Sequence, residues 1–297
     1  MSEEIPKSER SKSAISETEA YARRLAALDP LRSLAMRAAI EALQLPEGSR
    51  GLDVGCGIGL QALLLAQAVG PAGHVTGLDQ KPAFLARARA AAERAGLADR
   101  CSFRQGDLCA LPYDDGTFDW LWCADALWPG PKELGCPVQD PLPVVREFAR
   151  VVRPGGIVAL IYWSAQKLLP GYPLLEARLD GTSVPTAPFR EGMPPQAHVL
   201  RALGWLRAAG LQACTARTFV AEVQAPLADA VHPHDELRDA LAAAMDMFWG
   251  QAEPEVSAED WAQFQRLCRP ESSECILDAP DYYGFLTYTL FCGRVGG

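Results

Sequence analysis

Gly51-Leu52-Asp53-Val54-Gly55-Cys56-Gly57-Ile58-Gly59 is the stretch from which the fold is read. Arg50–Val54 is a short apolar run, and Ile58–Val69 has a helical period that Gly70-Pro71 stops. The glycines between them let the chain turn tightly and let a ligand approach the amides that open the helix. Such a turn has competing readings. A phosphate loop ends in Gly-Lys-Ser/Thr, and no lysine is present. A dinucleotide turn reads Gly-x-Gly-x-x-Gly, and Leu60 stands where its third glycine belongs. Asp53 separates the cases further. A carboxylate at the end of the first strand repels a pyrophosphate and suits a ligand that carries a cationic amino group.

Outward from this turn, strand and helix alternate. His74–Leu78 is a strand, followed by Asp79. Pro82–Ala95 is a helix with proline at its first position and Gly96 past its end. Cys101–Gln105 and Asp119–Ala124 are strands. Leu142–Val152 is a helix closed by Pro154-Gly155-Gly156, and Ile157–Trp163 is a strand. This order requires a parallel sheet with helices on both faces. Asp79 lies 20 residues after Gly59, at the end of the neighbouring strand, where a carboxylate accepts from both hydroxyls of a ribose. Asp107 adds another acid on the same sheet edge. The three acids match one ammonium, one ribose and one adenine amine.

Four stretches in order carry a family resemblance: Leu52–Gly59, the acid at Asp79, Gly106–Asp119 and Glu147–Gly156. With them the chain resembles the class I S-adenosylmethionine-dependent methyltransferases, of the group that includes ubiquinone and menaquinone biosynthesis enzymes. The resemblance covers residues 45–163, and the strand signals at 213–220 and 288–295 extend it. It implies a Rossmann-like seven-stranded α/β sheet with helices on both faces and a helical or loop cap. It also implies S-adenosylmethionine as cofactor. Asp53, Gly55, Cys56, Gly57 and Gly59 would then hold the methionine part. Asp79 would hold the ribose and Asp107 with Leu108 the adenine, Gln80 would also bind the cofactor, and Cys123–Asp125 would lie beside the amino group.

The flanking segments set the expected organisation. Residues 1–16 read as a polar, disordered tail. Residues 17–48 read as N-terminal helices, broken at Asp29-Pro30, that form part of the cap. The cofactor core spans 49–163. Residues 164–197, rich in proline and glycine, read as a loop insertion over the acceptor site. A core helix and strand occupy 198–220, a helical lid 221–286 and the last strand 287–297. In the lid, Leu237, Leu241, Met245 and Phe248 make one apolar helical face.

Composition narrows the partners. The net charge is −9 and no cluster of lysine and arginine occurs, so nucleic acid is not expected. No apolar run has membrane-spanning length, and no signal peptide opens the sequence. Nine cysteines without any Cys-x-x-Cys pair read as reduced, buried thiols of a cytoplasmic protein. No metal is expected. The acceptor is expected to be a small molecule, because aromatic side chains concentrate outside the cofactor core. Trp128 and Phe248 are candidates for its walls. Asp125, His198, His232 and His234 are the candidate bases. The sequence leaves open the acceptor atom and the oligomeric state. It also leaves open whether the acceptor is instead RNA or protein, or whether the chain binds cofactor without catalysis.

Overall fold

The computed structural model describes residues 7–183, 186–190, 192–227 and 234–297. The element order is α1 (Lys7–Leu43), β1 (Arg50–Val54), α2 (Leu60–Ala68), β2 (His74–Asp79), α3 (Pro82–Arg94), β3 (Cys101–Gln105) and β4 (Phe118–Ala124). It continues with α4 (Leu142–Val151), β5 (Val152–Lys167), α5 (Pro173–Asp180), α6 (Ala187–Arg190) and α7 (Ala202–Ala208). The chain closes with β6 (Gln212–Gln224), α8 (His234–Trp249), α9 (Ala258–Cys268) and β7 (Tyr283–Arg294).

The strands form one sheet in the order β3-β2-β1-β4-β5-β7-β6. The first four pairings are parallel, and β7 runs antiparallel to both β5 and β6. This is the seven-stranded α/β sheet expected from the sequence. Succession runs outward from β1 to β3 and then returns to β4 on the other side of β1. A crevice therefore opens beyond the carboxyl ends of β1 and β4, the usual ligand position in such sheets. Alternate β5 residues serve two cores. Ala159 and Ile161 join the larger one, with Leu31 and Met36 of α1 and Leu241 and Met245 of α8. Val158, Leu160 and Tyr162 face the other, with Val145 and Phe148 of α4 and Trp205 of α7.

Four expectations need correction. The break at Asp29-Pro30 is absent: α1 runs as one helix with Pro30 inside it. Proline in a helix interior costs about 3 kcal/mol. Leu31, Ala35, Met36, Ala39 and Ile40 form one buried stripe just beyond it, and each large apolar side chain among them returns about 1.5–3 kcal/mol on burial. Secondly, the tail expected over 1–16 is helical from Lys7. Extending an established helix avoids the nucleation cost, so polar residues can continue it. Thirdly, residues 164–197 are not a loop: β5 continues to Lys167, and α5 and α6 follow. Buried Glu176 holds the junction by accepting from Leu168 N (2.6 Å) and pairing with Lys167 Nζ (3.2 Å). Finally, the outer strands are longer than expected. β6 and β7 pair from Gln224↔Tyr283 to Gln212↔Arg294, so both ends of the expected 221–286 insertion belong to the sheet. Their mutual pairing supplies what alternation alone did not signal.

Candidate functional site

The turn after β1 is built around left-handed glycines. Gly55, Gly57 and Gly59 have φ of 72°, 53° and 85°. A side chain on Gly55 would stand 2.3 Å from Ala126 Cβ, so glycine there is a condition for the turn to approach the loop after β4. The amides of Gly55 and Cys56 both donate to Leu78 O, and Gly57 N donates to Asp79 Oδ2 (3.0 Å). The turn is thereby pinned to the end of β2. Cys56 is buried, and burial pushes its thiol pKa up, so it is a small filler and not a nucleophile.

The three acids occupy one sheet edge. Asp53 is 1% exposed, and its Oδ2 has no hydrogen-bond partner among the described residues. Burial raises its carboxyl to about 7, Arg32 pulls it back, and Asp79 adds to the rise. A buried carboxylate oxygen without a donor is costly, and a bound cation removes that cost. Asp79 accepts from Lys81 N (2.8 Å) through its other oxygen, and burial raises its pKa as well. Gln80 Nε2 donates to Asp107 Oδ1 (3.1 Å), which also accepts from Cys109 N (2.9 Å). Leu108 is buried beside them. Cys123 is fully buried on β4, and its thiol is pushed up to about 12 by burial.

Asp125 follows β4 with a left-handed φ of 48°. Its Oδ2 accepts from Arg32 of α1 (2.9 Å) and its Oδ1 from Trp163 N (2.8 Å). With both oxygens committed, it joins α1 to the ends of β4 and β5, and this geometry does not favour a base. Arg32 itself was not singled out in the sequence. It is one of several arginines in α1, and only tertiary packing distinguishes the buried one. Its Nε has no hydrogen-bond partner among the described residues, and it lies close enough to influence the Asp53 carboxyl. The amino-terminal half of α1 crosses the glycine turn, where Ala22 and Leu25 pack with Ile58 and Phe84.

The remaining candidates divide. Trp128 donates from Nε1 to Asp125 O (3.1 Å) and meets Tyr162 edge-on at 5.7 Å, so packing occupies it. Phe248 stacks on Trp163 at 4.2 Å and 11°. His198 accepts from Leu200 N through Nδ1 (3.2 Å), and burial lowers its pKa. The neutral ring then carries its proton on Nε2, which makes it a donor and not a base. His232 lies outside the described residues, and His234 is described only as the first residue of α8. Among the described residues no group of three side chains could hold a metal ion.

Residues 52–160 match a family model described as a methyltransferase domain. The match covers less than half of the chain, and over it the sequence is similar to that family. The chain is 37% identical over 135 residues to a demethylmenaquinone methyltransferase of Halalkalibacterium halodurans, covering 45% of this chain and 50% of the relative. It is 36% identical over 136 residues to methyltransferase GfsG of Streptomyces halstedii, covering 45% of each. The matched stretch thus spans half or less of these relatives' length. Among solved structures, a chain from the Haloferax volcanii complex containing the Trm112 methyltransferase activator superposes with a TM-score of 0.53 at 19% identity, covering 95% of this chain and 97% of that one. The [4+2]-cyclase SpnF superposes at 0.50 with 22% identity, covering 88% and 81%. These likenesses show the fold, and the cyclase illustrates that the fold alone does not name a reaction. The cofactor of the domain is S-adenosylmethionine. Two observations fit it here: the buried Asp53 Oδ2 has no donor among the described residues, and the Gly55 turn leaves no room for a side chain.

Proposed function

We propose that the protein is an S-adenosylmethionine-dependent methyltransferase acting on an oxygen, nitrogen or carbon atom of a small, partly apolar acceptor. The observation that carries this reading is the buried, unpartnered carboxylate of Asp53 at the β1/β4 crevice, inside the matched domain. Asp53 takes the ammonium of the methionine part. Asp79 accepts from the ribose hydroxyls, and Asp107 with Leu108 holds the adenine. When bound, the cofactor supplies a methyl group on a positively charged sulfur. The protein's share is alignment of the acceptor and exclusion of water. The described residues of 164–197 wall the acceptor side. The net charge of −9 argues against a nucleic-acid acceptor. All nine cysteines are free, which fits a reducing compartment such as the cytoplasm.

The test is transfer of label from methyl-labelled S-adenosylmethionine into a mixed cell extract. The expected label is in the small molecules extracted by organic solvent. Label confined to acid-precipitated RNA or protein would contradict the small-molecule reading.

A further inference from the structure

Beyond the donor crevice, a cavity of about 260 Å³ opens at the far end of β5. Trp163, Gln166, Asp180, Ser183, His198 and Val199 are among the residues that line it. Trp163 ties it to the donor end, because its backbone N–H bonds Asp125, which pairs with Arg32 beside Asp53. Asp180 is the cavity's distinctive group. Its Oδ1 accepts from Gln166 Nε2 and from Trp249 Nε1 (3.0 Å), and its Oδ2 has no hydrogen bond among the described residues. The carboxylate is fixed by one oxygen and open at the other. Across the cavity, His198 offers an Nε2 donor, and the buried indole N–H of Trp163 has no partner among the described residues.

Resting on the methyltransferase reading, we propose that this cavity is the acceptor site, that it takes a phenol of one or two rings, and that the open oxygen of Asp180 receives the phenol proton during transfer. The size follows from the volume, and the aromatic preference from the Trp163 wall, which Phe248 backs by stacking. The hydroxyl follows from the carboxylate. Beside an aliphatic amine, a carboxylate holds the nitrogen protonated and without a lone pair. Beside a phenol it takes the proton while the oxygen attacks. The phenol oxygen forms the new O–C bond, the methyl–sulfur bond breaks with its pair left on sulfur, and the proton passes through Asp180 to solvent. Burial raises the Asp180 carboxyl above the usual range, which makes it a better base than an exposed aspartate. Among the described lining residues the one lysine or arginine, Lys167, is paired with Glu176, which does not favour an anionic acceptor.

The probe is 2-naphthol, titrated against the full chain by quenching of tryptophan fluorescence, with 2-methoxynaphthalene as its hydroxyl-free match. The wild type is expected to bind 2-naphthol saturably and at least tenfold tighter than the ether, and to convert it to 2-methoxynaphthalene with S-adenosylmethionine. Asp180→Asn keeps an oxygen for Gln166 and Trp249 and turns the open oxygen into a donor. It is expected to bind 2-naphthol at least tenfold more weakly and to lose at least a hundredfold in turnover, with S-adenosylmethionine affinity unchanged by calorimetry. Equal binding of naphthol and ether by the wild type, or no binding of either, overturns the proposal even if the variant does not fold. So does a folded variant that keeps both binding and turnover. A wild type that binds 2-naphthol but not S-adenosylmethionine overturns the methyltransferase reading instead.

Discussion

Asp53 is kept at a cost to the free protein. Its folded pKa of about 7 lies above the ordinary 3.8, so burial favours the protonated form. Such a group stabilises the fold below its unfolded pKa, and that stability is lost as pH rises from about 4 through about 7. At pH 8 the ligand-free fold therefore holds an ionised, unpartnered oxygen. Asp53→Asn is expected to raise the melting temperature of the ligand-free protein by several degrees at pH 8, where about 1 kcal/mol corresponds to a few degrees. The gain should shrink as pH falls from about 7 and vanish only near about pH 3, where the carboxyl is neutral in both the folded and the unfolded chain. Calorimetric melting at both pH values checks this, and a variant no more stable at pH 8 contradicts it. The candidate acids were legible as a set on one sheet edge because each sits at or just past a strand end that local alternation marks. Arg32 and Asp180 were not. Their roles depend on burial and on partners 93 and 69 residues away, Asp125 and Trp249, which no local pattern records.

At the scale of elements, α1 is the least expected piece and the one that closes the donor end. It reaches into the core through the Arg32–Asp125 ion pair, with side chains 13% and 23% exposed. Removing one partner of a buried pair strands the other charge, which costs about 3 kcal/mol. Arg32→Ala is expected to lose that much in denaturant unfolding, and Asp125→Asn in the same chain should restore part of it. A coupling energy near zero in that double-mutant cycle would deny the link. α8 is a different case. The face read from Leu237, Leu241 and Met245 is real, but it is buried in the larger core. Leu241→Ala should cost about 2–5 kcal/mol of stability while leaving S-adenosylmethionine affinity within twofold. Loss of affinity without loss of stability would make α8 part of the donor site. Helical periodicity revealed the face but could not say whether it covers a ligand or a core. The continuous α1 was hidden for a related reason: the penalty of Pro30 is local, and the burial that outweighs it is not.

Over the whole molecule, one sheet sorts the chemistry by position. β1 and β2 carry Asp53 and Asp79 at their ends, Asp107 follows β3, Asp125 of the Arg32 pair follows β4, and β5 carries the chain past it to the Asp180 cavity. Strand order and acid spacing were legible because a parallel sheet built from alternating strands and helices must place its loops along one edge. The extent of β5, β6 and β7 was not, since antiparallel pairing of these outer strands lengthens them beyond their apolar runs. The central claim is that Asp53 holds the ammonium of S-adenosylmethionine as a carboxylate. Calorimetric titration of S-adenosylmethionine into the wild-type protein at pH 8 and pH 6 tests it most directly. With a free pKa of about 7, binding at pH 6 must expel a proton, so affinity should fall about tenfold from pH 8 to pH 6. Proton release should appear as a dependence of the heat on buffer ionisation. Equal affinity at the two pH values without proton release, or no binding at all, would contradict the account.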